Sequence, residues 1–504
     1  MRRSIKPVMV MEGTPLFIGI DLGTLDVRGV LVTASGRILA EEHRALAVRR
    51  PASGRSEHDP ELDWWQTTCS LIQQLLTISG VSPASIGGVG IAGLFPAACF
   101  LDEKGMPIGN ALLYSDNLAE HLIDEVAETM NQPLKGDETL PRLVWFARQR
   151  PAMFERIRMV LTSTGYIVYR LTGQFTMDPH NACRFGGGVN QERTGWQADM
   201  LDTLGIPAEI LPPVLSSIEV AGGVTEEAAQ ETGLAPGTPV IAGTTDTLAA
   251  LVGSGIQDLG EAMIYYGSTC TLSVITVPLA QAMAQPASFG PDSPYQLAVY
   301  LSSSGATLRW AVDLFTALQD GALEPKSIYE KLDEAASRIA PGSDNLFVLP
   351  YFAGRFYPHP DSQARGHIAG LSLQHGIGHI WRALLEAPGY ALADRLDYPL
   401  PHPLHRLYAS GGGAQSAMWR GVISNMLGLP QHYAPEGSGA LGAAFLAAVG
   451  TDHVSSFQAI RDEWLQGVEI TEPEADQVAR YREKLSVWRR LDAVAGESRV
   501  YKMD

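Results

Sequence analysis

The stretch Pro239-Val240-Ile241-Ala242-Gly243-Thr244-Thr245-Asp246-Thr247-Leu248-Ala249-Ala250-Leu251 lies near the middle of the chain and decides how the rest is read. Val240, Ile241 and Ala242 make the short apolar run of a buried strand, Gly243 breaks it, and Thr244, Thr245 and Asp246 stand where a helix begins. A carboxylate is thereby set at the carboxyl end of a strand. In open α/β sheets that edge is where ligands bind, and a helix start adds a positive partial charge that suits phosphate. The same three residues would serve equally well as a plain helix cap, so the flanking sequence has to decide.

Upstream, residues 16–20 read as a strand, Asp21-Leu22-Gly23-Thr24 as a turn and 27–33 as a second strand, with a third at 37–41. Downstream, a strand at 262–266, the turn Gly267-Ser268-Thr269 and a strand at 271–277 repeat that hairpin in shape and turn chemistry. Two copies imply two domains of one fold, 1–247 and 248–504, joined at the Asp246 stretch.

Between the copies, Asp59-Pro60 opens a helix over 61–76. A strand at 87–91 continues through 98–101 and 111–114, and short helices follow at 143–150, 153–159 and 165–171. Residues 175–190 read as a polar loop; its segment 184–190 holds three consecutive glycines but has no strand entering or helix leaving, and so is no phosphate cradle. Beyond the second hairpin come a surface loop at 278–294, a strand at 346–350, a polar loop at 352–365 and a helix at 377–396. A strand at 407–410 runs into Gly411-Gly412-Gly413-Ala414 and a helix at 416–426. A small-residue helix at 440–449 and a last helix at 474–492 complete the chain.

With 504 residues there is ample length for two large domains. A net charge of -18, from 55 acidic against 37 basic residues, argues against a nucleic-acid or anionic-membrane binder. Any anionic ligand must then be held by local groups. Cys69, Cys99, Cys183 and Cys270 form no close pair, which suggests neither a zinc site nor a disulfide framework and fits a reducing cytoplasm. The basic start is followed by an apolar run only from 7 to 11, too short for a signal peptide. Nor does any stretch reach the roughly 18 uninterrupted apolar residues of a membrane span.

Turns of Gly, Ser and Thr between strands offer backbone amides and hydroxyls to an anion without a lysine. The pair at Gly23-Thr24 and Gly267-Ser268-Thr269 would therefore clamp a polyphosphate, and Asp21 beside the first suits a magnesium ion, which takes one or two carboxylates plus phosphate oxygens and water. The Gly411–Gly413 run, entered by a strand and left by a helix, lets backbone approach a nucleotide base or its first phosphate. Each turn on its own is equally an ordinary hairpin or tight turn.

Taken together, these segments resemble the FGGY carbohydrate kinases, a family built on the duplicated ribonuclease H-like fold. The matching stretches are Ile20-Asp21-Leu22-Gly23-Thr24, Asp59-Pro60 with Trp64-Trp65, Tyr169-Arg170-Leu171-Thr172-Gly173, Pro239 to Asp246, Gly267-Ser268-Thr269, Leu349-Pro350-Tyr351 with Pro358-His359 and Ala364-Arg365-Gly366, and Gly411-Gly412-Gly413-Ala414 with Trp419. Gly370-Leu371-Ser372-Leu373 followed by Arg382-Ala383-Leu384-Leu385-Glu386 is similar to a signature segment of the family. The resemblance implies an α/β protein of two ribonuclease H-like domains, of the actin and hexokinase ATPase type, with a cleft between them. The N-terminal domain would hold the sugar site, the first phosphate turn and the catalytic aspartate, and the C-terminal domain the nucleotide.

Carried over residue by residue, the resemblance makes Asp246 the general base. It makes Asp21 and Thr24 the magnesium and phosphate turn, with Arg28 a basic group near the phosphates. It sets Ser268 on the second phosphate turn, Gly305 near the nucleotide, and Gly413 and Ala414 by the adenosine. The implied reaction is ATP- and Mg2+-dependent phosphorylation of a hydroxyl of a small sugar or polyol, with the xylulokinases as the nearest pattern and a ketose such as xylulose as acceptor. No nucleic-acid or membrane partner is implied; a homodimer is compatible with the sequence, which does not fix the oligomeric state.

Substrate choice is where the chain departs from that pattern. Xylulokinases carry Gln-Met-His after the strand corresponding to 88–93, and here Leu94-Phe95-Pro96 forms an apolar wall. Losing buried hydrogen-bonding groups can change specificity by about 10⁴. Phe95, Pro96 and Asp116, which follows Tyr114-Ser115, are the candidate sugar-side residues, although Asp116 would equally cap a helix beginning at Leu118. Asp26 brings a negative charge toward the first phosphate turn, and Gly165 replaces an acidic residue. Two alternatives follow: a kinase for a less polar sugar or polyol, and a sugar or nucleotide sensor of the same fold without turnover.

Overall fold

The computed structural model describes residues 14–131, 134, 138–186, 189, 195–284, 295–317, 325–355, 361, 363–397, 399–400 and 402–497. The chain divides into two compact units. The first comprises Met1–Gln257, Val277–Pro294 and Glu436–Gln466, the second Asp258–Thr276, Tyr295–Pro435 and Gly467–Asp504. These limits differ from a single boundary at 247/248, because the helix begun at Asp246 runs on to Gly253 and the helix Gly439–Gly450 returns to the first unit. That returning helix is made of glycine, alanine and a few large apolar residues, so its backbone comes close to the first sheet and to the helix Asp246–Gly253.

The first unit is organised by a sheet whose strands are β1 (Leu16–Leu22), β2 (Asp26–Thr33), β3 (Ile38–Ala45), β4 (Ile86–Gly93), β5 (Val220–Gly223), β6 (Pro239–Ile241) and β7 (Thr244–Thr245). Their order is β3-β2-β1-β4-β6-β5, with β7 paired to β4. Strand β1 is almost wholly buried and apolar without alternation; the helix Gly439–Gly450 packs on it with its backbone against Gly19, while the helix Thr67–Ser79 packs on β2 and β3. β1, β4, β6 and β7 run parallel, so their carboxyl ends share one edge.

The second unit repeats the plan with β8 (Glu261–Tyr266), β9 (Cys270–Ile275), β10 (Tyr295–Leu301), β11 (Arg406–Ser410), β12 (Gln431–Tyr433) and β13 (Glu469–Thr471). The order β10-β9-β8-β11-β12-β13 matches the first sheet strand for strand, including the parallel central strands and the antiparallel sixth. The duplication expected from two hairpins thus extends over both whole sheets.

Several local expectations are corrected. Ala97–Leu101 and Ala111–Leu113 do not continue the main sheet; with Glu57–His58 and Met159–Leu161 they form a separate four-stranded sheet. Residues 153–159 are mostly not helical, the helix there being Pro151–Phe154. The stretch 175–190 contains a helix, Pro179–Cys183. Residues 279–284 are helical rather than loop, and 285–294 lie outside the described residues, as do 187, 188 and 190 of the glycine-bearing loop and Pro358-His359. The strand Tyr295–Leu301 and the helices Gly305–Thr316 and Pro325–Ser337 were not anticipated. No helix among the described residues is long and apolar enough to cross a membrane.

Candidate active site

The register of the first sheet assembles the site. Asp21 pairs with Ala92, Ala92 with Thr244, and Gly93 with Thr245, so Asp21 and the start of the next helix leave the same edge. Gly243 makes the step possible: its φ is +78°, and a Cβ there would lie 2.3 Å from the Ile91 carbonyl oxygen. The helix Asp246–Gly253 is capped by Thr245, whose hydroxyl accepts from the Leu248 amide at 3.4 Å. Asp246 is therefore not the cap. Its Oδ1 accepts from the amide (2.6 Å) and hydroxyl (3.2 Å) of Thr247, and its Oδ2 takes no hydrogen bond among the described residues.

Both carboxyls are hard to ionise. Burial pushes Asp246 up to about 6, opposed by the Thr247 hydrogen bonds. Asp21 is pushed up to about 7, first by burial, then by the Asp246 carboxylate, with Arg28 pulling the other way. Asp21 Oδ1 is buried without a hydrogen-bond partner. Its Oδ2 faces the first residue of the helix Gly439–Gly450, where a Cβ on Gly439 would lie 2.4 Å away.

Two adjacent carboxyls, one with an orphaned buried oxygen, suit a divalent cation that would favour both ionised forms. Among the described residues no group of three or more His, Cys, Asp or Glu is arranged for a metal. Magnesium asks for no such group, since it needs only one or two carboxylates.

Thr24 stands in the turn closed by the Gly23 amide donating to the Asp26 carbonyl at 2.9 Å. Arg28 is opposite Asp21 in register, and its Nε donates to Asp26 Oδ2 at 2.8 Å. The unexpected negative charge of Asp26 is thus balanced locally.

On the acceptor side, the helix Ser163–Thr172 pins two loops with its first side chains. Ser163 Oγ donates to the Leu94 carbonyl and Thr164 Oγ1 to the Thr244 carbonyl, each at 2.9 Å. Phe95, joined to Pro96 by a cis peptide, leaves this edge two residues after Gly93. Leu94 and Pro96 are buried and Phe95 partly exposed.

Asp116 is buried, with Oδ2 accepting from Arg55 Nε (2.7 Å) and the Ser56 amide (2.8 Å) and Oδ1 from the Leu118 amide (3.0 Å). These three bonds tie the segments around Arg55, Ser56 and Leu118 to one carboxylate. Sequence reasoning missed His180 and Arg184, which flank the Phe95 ring at 5.4 and 5.5 Å. The signal was present: Asp178-Pro179 has the same helix-opening grammar as Asp59-Pro60, and Asp178 accepts from the amides of His180 (3.0 Å) and Asn181 (3.2 Å).

In the second unit, Ser268 is exposed on its turn. The carbonyl oxygen of Ser268 accepts from the amides of Ser304 (2.8 Å) and Ala306 (3.1 Å), and that of Gly267 from Gly305 (3.0 Å). A Cβ on Gly305 would lie 2.3 Å from the Gly267 oxygen. Gly305 thus lets a helix start seat against the turn, and those amides are engaged within the protein. Gly413 lies against the Trp419 indole, 2.4 Å from a Cβ built there, while Ala414 is buried and its carbonyl accepts from Arg420. Gly412, between Gly411 and Gly413, faces open space.

The two sheets of one strand order, with carboxylates at the strand ends of one and a glycine turn at those of the other, define a duplicated α/β fold. Residues 16–253 match the N-terminal domain of the FGGY family of carbohydrate kinases and residues 262–451 its C-terminal domain. The chain belongs to this family and is a carbohydrate kinase. It is 29% identical to the xylulose kinase of Escherichia coli (strain K12) over 94% of this chain and 98% of that protein. With the xylulose kinase of Bacillus subtilis (strain 168) it shares 27% over 94% of this chain and 96% of that protein. The crystal structure of xylulose kinase from Rhodospirillum rubrum superposes with a TM-score of 0.78 at 28% identity, covering 95% of this chain and 98% of that one.

Proposed function

We propose that the protein transfers the terminal phosphoryl group of ATP to a hydroxyl of a small sugar or polyol, a ketose such as xylulose being the first candidate, with Asp246 as general base. The observation that carries this reading is the Asp21–Asp246 pair at the shared strand edge, one carboxyl with an oxygen left open and the other with a buried, unpartnered one. The kinship to xylulose kinases at 27 to 29% identity supports the sugar class.

In this mechanism Asp246 accepts the proton of the attacking hydroxyl through Oδ2, while the Thr247 bonds to Oδ1 hold the carboxylate in one orientation. That proton leaves late in a loose transition state, so an ordinary carboxylate is basic enough. Asp21 would hold a magnesium ion, which would supply neutralisation of charge on the phosphates. Thr24 and Arg28 are the phosphate-side residues of the first unit in this reading, and Ser268, on the turn that Gly305 supports, is that of the second. Gly413 and Ala414 shape the adenosine site from beneath, Gly413 by seating the turn on Trp419 and Ala414 by its burial, so that the open face at Gly412 is the one presented to the base. In this division the first unit serves the acceptor, the metal and phosphate, and the second the rest of the nucleotide.

The apolar Leu94-Phe95-Pro96 segment supports a second reading within the class, an acceptor less polar than xylulose. A coupled assay of ATP consumption over pentuloses, hexuloses, erythritol and glycerol tests both. Turnover with at least one of them is expected. Sugar binding without turnover of any would overturn the kinase reading for ATP and point to a sensor.

A further inference from the structure

The first phosphate turn is closed by backbone alone: the Gly23 amide donates to the Asp26 carbonyl at 2.9 Å and the Leu46 amide to that of Leu25 at 2.7 Å. The chain leaving Leu46 soon folds back, because Arg49 and Glu57 exchange both backbone hydrogen bonds at 2.9 Å. The residue that follows, His58, is 0% exposed, and the transfer chemistry proposed above makes no use of it.

Its surroundings fix where its proton sits. The Trp64 indole nitrogen donates to His58 Nδ1 at 3.0 Å, the two rings meeting edge to face with centroids 6.3 Å apart. Nδ1 is thereby an acceptor, and in a neutral imidazole the proton is then on Nε2. Burial holds His58 below its usual range; the Asp63 carboxylate opposes this, Arg49 adds to it, and the Thr24 backbone opposes it. A backbone group that favours a charged ring is a carbonyl, and with Nδ1 occupied by Trp64 it is Nε2 that faces it. By the geometry of a full hydrogen bond Nε2 has no partner among the described residues, so its buried N–H has the Thr24 carbonyl alone to turn to.

The same indole continues toward the other half of the site. Trp64 meets the Tyr166 ring edge-on at 6.0 Å, and Tyr166 lies on the helix Ser163–Thr172, whose first side chains hold the Leu94 and Thr244 carbonyls. Three rings thus join the phosphate turn to the strand end that leads into Asp246.

We propose that His58 is a positioning residue for phosphoryl transfer, its Nε2–H holding the Thr24 carbonyl so that the first phosphate turn keeps a fixed place relative to the edge that carries Asp246. This rests on the kinase reading above, in which Thr24 is a phosphate-side residue. The turn has little packing of its own, Gly23 and Thr24 being half-buried and Leu25 67% exposed. A buried donor on its inner side removes one direction in which it can drift, at a place where small displacements cost rate.

The test is steady-state kinetics of the full chain, varying ATP and then the best acceptor, for the wild type, His58→Asn and His58→Gln. Asparagine sets an acceptor where Nδ1 was and keeps the Trp64 bond, but reaches no further; glutamine sets an amide nitrogen where Nε2 was. His58→Asn is expected to lower kcat/KM for ATP about tenfold with the acceptor KM within about twofold, and His58→Gln to recover most of that loss. Unchanged kcat/KM for ATP in His58→Asn would overturn the proposal, as would equal losses in the two variants or a loss that falls equally on the acceptor KM. Should His58→Asn not fold, Trp64→Phe carries the test: it frees the ring to place its proton on either nitrogen, and kcat/KM for ATP should fall about threefold, no fall overturning the assignment. Failure of the kinase reading looks different: the wild type would bind ATP but phosphorylate none of the pentuloses, hexuloses and polyols, and the variants would be compared by Kd for Mg2+-ATP from calorimetry, an unchanged Kd in His58→Asn overturning the role of His58. A wild type that neither binds ATP nor phosphorylates any of the compounds would overturn both.

Discussion

The two sheets share one strand order, yet the equivalent ends of their first strands differ. The first reads Asp21-Leu22-Gly23-Thr24 and the second Tyr265-Tyr266-Gly267-Ser268. Where one scaffold ends in a carboxyl pushed up to about 7, the other carries a tyrosine ring that is 40% exposed. The next strands diverge as well, since β4 leads into Leu94-Phe95-Pro96 at one edge, beside β7 and Asp246, and β11 into the Gly411–Gly413 turn at the other. A duplicated sheet supplies the edge, and the residues closing each strand decide whether that edge handles protons and cations or gives a flat ligand room. If this division holds, damage to the first edge should fall on the chemical step and damage to the second on nucleotide affinity.

The hardest test of that division is Asp246→Asn. The amide keeps the shape and can still accept from Thr247, but it cannot take a proton. We expect kcat to fall by about 10³ or more while nucleotide affinity by calorimetry stays within about twofold. Near-normal turnover would remove Asp246 from the chemistry and erase the contrast between the edges.

The pH dependence sharpens the same contrast, because of the two strand edges the first holds raised carboxyls, Asp21 and Asp246, while Asp178, Glu386 and Asp492 are raised elsewhere in the protein. With Asp246 near 6, activity should drop about tenfold between pH 7 and pH 5 as the base becomes protonated. Excess magnesium, which favours the ionised pair, should move this limb to lower pH. The sign for stability is opposite. Carboxyls whose folded pKa lies above their ordinary 3.8 favour the folded state at low pH and lose that contribution as pH rises through about 6 to 7. Magnesium should therefore raise Tm more at pH 8 than at pH 5, and an equal shift at both would show that it does not bind this pair.

On the second edge, Gly413→Ala sets a methyl group against Trp419, the built Cβ being 2.4 Å from the indole. Pushing the loop off the ring should raise KM for ATP about tenfold and leave kcat at saturation within about threefold. A loss confined to kcat would mean that this glycine turn serves the chemistry and not the nucleotide.

Much of this was readable before the coordinates, and the limit has a physical pattern. The hairpins around Asp21 and Ser268 announce themselves because an apolar run broken by Gly, Ser and Thr is a local signal. The Asp246 stretch was legible for the same reason, although the cap proved to be Thr245. What escaped depends on partners far away in sequence. Nothing in residues 439–450 says that this helix returns to the first sheet and presents Gly439 to Asp21. Strands 97–101 and 111–113 look like any others until their pairing partners, Met159–Leu161 and Glu57–His58, are known. The helix Pro179–Cys183 has five residues, too few for a 3.6-residue period to emerge, and only its Asp-Pro start could have revealed it. Asp116 was ambiguous in sequence because a sugar ligand and a structural tie both ask for a carboxylate, and the tie, three protein donors on its two oxygens, comes from segments distant in sequence.

The smallest effect is expected at Asp26, whose charge reads in sequence as a threat to the first phosphate turn. The structure pairs it with Arg28 at 2.8 Å, the two side chains being 33% and 56% exposed. An exposed pair of this kind contributes about 0 to 1 kcal/mol to stability, so Asp26→Ser should leave Tm nearly unchanged. It also releases Arg28 from its carboxylate partner, which should lower KM for ATP by no more than about threefold at low salt and less at high salt, where screening takes over. A tenfold gain in ATP affinity would mean that Asp26 acts on the phosphates directly, that the ion pair does not balance it, and that the first edge takes a larger share in nucleotide binding than the division between the two sheets allows.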